Sequence, residues 1–353
     1  MVSMSPSSTA SEMTWSELLE TLLSKRDLTV ETASWAMDRL MSGELSDTEI
    51  AGFLIALRAK GETGQELLGL SRTMMQRAVP IEIEGQTLDI VGTGGDRLGT
   101  VNISTMSSLV AVGAGATVVK HGNRGASTTA GAADVIEALG VDLALAPEKV
   151  AASAREVGIT FLFAQQFHPS MRFVGPVRKQ LGVRTVFNFL GPLSNPAGVT
   201  AQALGCASAD LAPRMAEALA ARGTRGLVFR GRDGRDKVTT SEATDLWEIR
   251  DGAVAHSVLT PEDVGLRRCA VDELRGSTAQ HNARIVTDVL DGRPGPVRDA
   301  VLLNAAAGLT ALDERSEGDL VTRLSTNMVR AAESIDSGRA SAALRRWVEF
   351  SQH

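Results

Sequence analysis

Two glycine-rich segments, each fed by a β-type run, constrain this chain more than any other feature. "LDIV" leads into "GTGGDRLGTVNIST" (Gly92–Thr105), and a helix-type run, "MSSLVAVGAGA", leaves it. "ATVVK" leads into "HGNRGASTTAG", followed by the helix-type "AADVIEALG" with Gly140 at its end. Further on, the helix-type "DLAPRMAEALAARG" precedes the strand-type "GLVFR". Such alternation argues for an α/β layer with a substantially parallel sheet. Ligands of these sheets bind beyond the carboxyl ends of the strands, so both loops are placed to face one site.

The first loop matches neither common phosphate motif. No lysine follows the glycines as a P-loop requires, and Arg97 stands where a dinucleotide fingerprint needs its third glycine. The physics still favours an anion. Glycines let backbone approach a ligand closely, and the helix start behind them offers unpaired N–H groups and a positive dipole end. A tight strand-to-helix turn without a ligand is the alternative. The second loop, "KHGNRGAS" (Lys120–Ser127), crowds cationic and amide donors around two glycines. Lys and Arg answer phosphate charge, although a solvated turn has the same composition. His121 by itself is a site-lining residue rather than an acid or base.

Before Ile81 the chain reads as helices only. Thr14 with Glu17, Ser46 with Glu49 and Thr63 with Glu66 form capping boxes, and Gly43 and Gly61 sit where C-caps belong. "EIAGFLIALRAKG" is apolar on a broad face, as a helix buried among helices must be. Pro80 closes the section. The basic, Pro-bearing segment "FHPSMRFVGPVRKQLGVRTVFNFLGPLSNPAG" reads as a helical excursion returning to it. The expected organisation is a disordered leader (1–12), a helical domain (13–80) with a returning segment near 168–195, and a large α/β domain (81–353).

A net charge of −6 argues against a general nucleic-acid surface. Two distant cysteines, Cys206 and Cys269, give neither a disulfide framework nor zinc spacing. The leader lacks a signal peptide's basic and apolar regions, and no run reaches the ~20 apolar residues of a membrane span. A cytoplasmic protein without membrane association is expected. No nucleophile pattern stands out; "GPLSNP" is a turn cluster rather than a nucleophile elbow. Asp236, in "GRDGRDKVTT" after "GLVFR", is either a Mg²⁺ ligand or an acid in a charged turn. Arg178 is either a carboxylate receptor or a surface cation.

Taken together, "GTGGD", "NIST", "KHGNR", "FHPSMR…VRKQLGVRTVFNFLGPLSNPA" and "PVRDAVLLNAAAGL" resemble the anthranilate phosphoribosyltransferases, in order and spacing, over roughly residues 15 to 350. The resemblance implies a small all-helical N-terminal domain plus a large α/β domain whose central, mostly parallel sheet is flanked by helices, a nucleoside phosphorylase/phosphoribosyltransferase-like fold. It also implies a homodimer formed through the helical part. The implied reaction joins anthranilate's amine to C1 of 5-phosphoribosyl 1-pyrophosphate with Mg²⁺ assistance, in tryptophan biosynthesis.

Carried over residue by residue, the donor would be held by Gly92, Gly95, Asp96, Thr100, Asn102, Ile103, Ser104 and Thr105 of the first loop. Lys120, His121, Gly122, Asn123, Arg124, Gly125, Ala126 and Ser127 of the second loop would hold the rest of it. Anthranilate would meet Gly92, Asn123, His168 and Arg178, the last through its carboxylate. Ser104 and Asp236 would hold metal. No general base is implied, since an aromatic amine attacks in its neutral form.

Three departures stand against the family pattern. Lys237 replaces a metal-binding Glu after Asp236, "STTAGAAD" is poorer in serine near Ala130 and Ala132, and Arg97 replaces a common Gly. Glu242 is a second source for the missing carboxylate. Alternatives are a paralogue with another aromatic acceptor, a pyrimidine nucleoside phosphorylase-like enzyme, and a nucleic-acid-binding relative.

Overall fold

The computed structural model describes residues 13–96, 98–125, 130–315 and 317–353. The leader, Arg97, Ala126 and Ser127 therefore lie outside the described residues.

The chain begins with α1 (Trp15–Leu23), α2 (Val30–Ser42), α3 (Asp47–Lys60) and α4 (Gly64–Gln76). The three capping boxes form at the starts of α1, α3 and α4, satisfying N–H groups that a helix start leaves bare. Gly43 closes α2 at φ 77, in the left-handed region. The broad apolar face of α3 is explained by burial: Ile50, Phe53, Leu54 and Leu57 are all inside. Trp15 packs on Trp35 and Phe53 at 5.9 and 5.5 Å between ring centroids.

The chain then alternates through β1 (Thr87–Gly92), α5 (Ile103–Gly113), β2 (Thr117–Gly122), α6 (Ala132–Ala138), α7 (Pro147–Val157) and β3 (Ile159–Phe163). The Pro-bearing segment supplies α8 (Ala164–Phe167), α9 (Met171–Leu181) and α10 (Phe187–Leu193). After it come β4 (Ala201–Gly205), α11 (Leu211–Arg222), β5 (Arg225–Gly231), β6 (Thr244–Arg250) and β7 (Ala253–Leu259). Four helices end the chain: α12 (Ala279–Leu290), α13 (Pro296–Leu312), α14 (Leu320–Asp336) and α15 (Arg339–Gln352). The β-type run "IEIEGQTLDIV" enters the ladder only at Thr87. Ile81 and Ile83 instead lay one side of an extended segment on a cluster around Val119 and Phe167.

The strands form one sheet in the order β3-β2-β1-β4-β5-β6-β7. The pairs from β3 to β5 are parallel, and β6 and β7 are added antiparallel. Strand residues alternate between faces. Leu88, Ile90, Ala203 and Leu227 face a core shared with α5 and α12 to α15. Val91, Leu204, Val228 and Ile249 face a second core, continuous with the interior of α1 to α4, α9 and α11. Among the described residues no helix is long and apolar enough to cross a membrane. Cys206 and Cys269 are free thiols.

This order has a reversal. The chain steps outward from β1 to β2 and β3, then returns to place β4 on the other side of β1. The ends of β1 and β4 are glycines in register, Gly92 opposite Gly205. That split is the crevice where open α/β sheets bind ligands.

Candidate active site

The β5–β6 connection folds back over this split. A Cβ on Gly92 would collide with the Asp236 carboxylate, and one on Gly205 with the Asp236 backbone. The missing side chain at Gly92 thus makes room for Asp236. Asp236 is buried. Its Oδ2 accepts the Gly94 N–H at 2.7 Å and its Oδ1 accepts the Lys237 Nζ at 2.5 Å. Gly94 and Gly95 then turn through φ 68 and φ 74, conformations that glycine adopts without strain. A Cβ at Gly94 would meet nothing within 4 Å, so this backbone faces open space. The Gly95 carbonyl accepts from the guanidinium of Arg184.

The remainder of the loop is braced from within. Asp96 accepts from the Leu98 N–H and from the Thr100 hydroxyl, both at 3.1 Å. Thr100 Oγ1 in turn accepts from Arg235 Nε at 3.0 Å, and the buried Arg235 is ion-paired with Asp233. Asn102 donates to the Ala130 carbonyl at 3.0 Å and accepts from Asn282 at 2.8 Å, tying the first loop to the end of the second. Ile103 and Thr105 are buried, and the Thr105 hydroxyl has no partner among the described residues. Asp96, Thr100, Asn102 and Ile103 thus shape the loop with side chains that are already engaged or packed.

Lys120 does not project from the second loop. Its buried ammonium reaches beneath the first, donating to the Ile90 carbonyl at 2.6 Å and approaching Ser104 Oγ at 3.4 Å. Burial lowers its pKa to about 8, against the opposing pull of the Asp89 carboxylate. Asp89 is itself fully buried, and desolvation raises it to about 6. Asn195 Nδ2 bonds it at 3.0 Å and also bonds the Val119 carbonyl. Gly122 ends β2 against the Phe161 ring, where a Cβ would crowd. Asn123 is exposed, its Oδ1 accepting from the Arg124 N–H. Arg124 lies over the Phe163 ring and pairs with Asp134 and Glu137 of α6. Asp134 also accepts the N–H groups of Gly125 and Gly131, at 3.0 and 2.8 Å. The Arg124 cation thus anchors the loop.

Two buried histidines, one in β2 and one just after α8, meet in the interior. The rings of His121 and His168 stand edge to face at 5.1 Å. His121 Nδ1 bonds the Gly191 carbonyl at 2.9 Å, and His168 Nε2 the Ser194 carbonyl at 3.0 Å. Burial holds both neutral, lowering His121 to about 3 and His168 to about 4. His121 Nε2 is buried without a partner among the described residues. Arg178, on α9, stacks over Phe187 at 5.3 Å. Burial lowers its pKa, and no carboxylate pairs with it among the described residues.

Magnesium takes oxygen ligands, commonly one or two carboxylates completed by water and substrate phosphates. The Asp236 position does not fit it. One carboxylate oxygen is held by an ammonium and the other by a backbone N–H, and Lys120 feels the charges of both Asp236 and Lys237. Glu242 does not fill the gap, because its half-exposed carboxylate turns to Arg268 at 3.1 Å. Ser104 Oγ fits only as a single neutral donor. Among the described residues no three His, Cys, Asp or Glu side chains cluster as metal ligands.

Sequence reasoning missed Asp89, Asp134, Arg184 and Arg235. Asp134, three residues after Gly131 at the start of α6, carries the one local signal, a capping position.

The chain matches two family models, the glycosyl transferase family a/b domain over residues 84–341 and the glycosyl transferase family helical bundle domain over residues 16–78. It is 54% identical over 346 residues to an anthranilate phosphoribosyltransferase of Arthrobacter sp. (strain FB24), covering 98% of both chains. It is 53% identical over 342 residues to that of Thermobifida fusca (strain YX), covering 97% of this chain and 98% of the relative. The crystal structure of the Thermus thermophilus anthranilate phosphoribosyltransferase superposes with a TM-score of 0.89 at 42% identity, covering 95% of this chain and 99% of that one. The Saccharomyces cerevisiae enzyme in complex with PRPP and Mg superposes at 0.87 with 29% identity, covering 97% and 99%. With both family models in sequence along it and relatives of this identity spanning nearly its whole length, the chain belongs to the anthranilate phosphoribosyltransferase family.

Proposed function

We propose that this protein transfers the phosphoribosyl group of 5-phosphoribosyl 1-pyrophosphate to the amine of anthranilate in tryptophan biosynthesis. The observation that carries the reading is the left-handed Gly94 backbone at the β1–β4 crevice, open where a side chain would stand, with the Lys120 ammonium bonded to the Ile90 carbonyl of the strand that leads into it. The neutral amine nitrogen forms a bond to C1 as the C1–O bond breaks. That bond's electron pair leaves with pyrophosphate, and the nitrogen loses its proton to solvent or to a phosphate oxygen.

Charge grows on the leaving group, so fixed dipoles and cations aimed there lower the barrier. The open glycine backbone and Lys120 do this. Arg178 holds the acceptor's carboxylate and aligns the nitrogen, a positioning effect. His121 and His168, kept neutral, wall the acceptor path without competing for the amine's proton. Magnesium carried on the diphosphate would neutralise part of its charge, with Ser104 Oγ as a protein donor.

A cytoplasmic homodimer belongs to this reading. Leu23 at the end of α1 is 66% exposed and Ile55 on α3 is 41% exposed, apolar surface on the helical part that a second copy would cover. Light scattering on the full chain tests that association. The activity is tested by loss of anthranilate fluorescence in the presence of phosphoribosyl pyrophosphate and Mg²⁺. No loss at high enzyme concentration would exclude it.

A further inference from the structure

We propose that the Lys237 ammonium is a built-in cation for the donor's diphosphate, with Asp236 as its counter-ion rather than a metal ligand. The inference rests on the donor-binding reading above. It starts from the position of Lys237 Nζ, which lies 3.2 Å from where a Gly92 Cβ would be. The ammonium is therefore at the split between β1 and β4, beside the turn that begins at Gly94. The side chain is only 12% exposed, so it is part of the site wall.

An ammonium has three donors. Two go to Asp236, to Oδ1 at 2.5 Å and to the carbonyl at 3.0 Å. The third has no acceptor among the described residues. Lys120, near enough to feel the Lys237 charge, presents the same chemistry, bonded to the Ile90 carbonyl and close to Ser104. Two buried carboxylates, Asp89 and Asp236, stand with these two ammonium groups. The wall is thus balanced before any ligand arrives, and an arriving diphosphate meets two fixed cations.

A divalent ion at Asp236 would have to displace Lys237 from a carboxylate and then sit beside its charge. The ammonium supplies a point charge that binds phosphate without coordination geometry. This chain therefore takes up one divalent ion fewer per donor-loaded site than it would with a second carboxylate at position 237.

The test uses the full chain with phosphoribosyl pyrophosphate and no acceptor. Mn²⁺ bound per donor-loaded site is counted by electron paramagnetic resonance, and donor affinity is measured by calorimetry. The unmodified chain should hold one Mn²⁺ and Lys237→Glu two. Lys237→Gln, which removes the charge without adding a ligand, should weaken donor binding roughly ten- to hundredfold, the range for losing a charged hydrogen-bond partner, at every Mg²⁺ concentration. Should Lys237→Glu not fold, the unmodified count and Lys237→Gln still decide. Two Mn²⁺ in the unmodified chain, or donor affinity unchanged in Lys237→Gln, would overturn the assignment and leave Lys237 a latch over the split. No donor heat from the unmodified chain at any Mg²⁺ concentration would overturn the donor-binding reading itself, and this inference with it.

Discussion

Arg178 has an aromatic face against it and no acid beside it among the described residues. A partly buried guanidinium without a counter-ion is poised for an incoming carboxylate. Arg178→Ala should cut kcat/KM for anthranilate by about 2–4 kcal/mol, the range for removing one partner of a buried charge pair. The donor's dissociation constant should hardly move. Steady-state kinetics varying each substrate separates the two, and intact anthranilate kinetics would remove Arg178 from the acceptor site. Gly94 makes a different demand. At φ 68 a β-branched side chain is strained, and its bulk would enter the open space above the loop. Gly94→Val should abolish donor binding in calorimetry while the helical circular dichroism signal persists; retained donor affinity would take the loop out of the site. Sequence alone left Arg178 open between a carboxylate receptor and a surface cation, whereas the glycines were marked by their place after a strand. Asp89, Arg184 and Arg235 were not legible. Their partners Asn195, Gly95 and Thr100 lie 106, 89 and 135 residues away, and no local pattern encodes such pairings.

Among the elements, the link between α9 and α10 reaches the first loop through Arg184. It is the connection by which the Pro-bearing helices hold the glycine turn. Arg184→Ala should loosen that turn and weaken donor binding by about 1 kcal/mol, the net worth of a typical hydrogen bond. The thermal midpoint without ligand should change little. A large fall in that midpoint, with donor affinity retained, would instead make Arg184 a structural strut. The alternation of strand-type and helix-type runs made the parallel part of the sheet readable. The β6–β7 hairpin was not readable. Most of β7 is exposed, so no apolar stripe marks it, and its pairing to β6 supplies what its side chains do not. "IEIE" misled in the opposite direction, since its alternation reflects packing on one side and no ladder.

For the whole molecule, stability should depend on pH in a definite sense. His121 and His168 titrate at about 3 and about 4 when folded, against an ordinary value of 6.5. Between pH 6.5 and 4 the unfolded chain takes up protons on both rings and the folded protein resists, so stability falls as pH falls. Asp89 acts in the opposite sense. Raised to about 6 from 3.8, it takes up its proton in the folded state as pH falls through about 6, while the unfolded carboxyl stays ionised until nearer 3.8, which favours folding as pH falls. Two rings outweigh one carboxyl, so the thermal midpoint should drop from pH 6.5 to pH 4. The drop should shrink in His168→Asn. A midpoint that rises on acidification would show Asp89 to dominate. The two-part architecture was readable from the shift in texture near Pro80. The shared interior was not, because strand residues such as Val91 and Leu204 face the helical bundle only once the sheet order is known.

The closure of Asp236 over the Gly92–Gly205 split also bears on how the protein is born. Asp236 bonds Gly94 across 142 residues of chain. On the ribosome, β1 emerges early and gains β2 soon after, but its other edge waits for β4 and the end of the site waits for the β5–β6 connection. Throughout that interval a bare parallel edge and two uncovered glycines are presented to the surroundings. Nascent chains stalled before residue 200 should therefore recruit chaperones or associate with one another, and release of those partners should coincide with emergence of the Asp236–Lys237 turn.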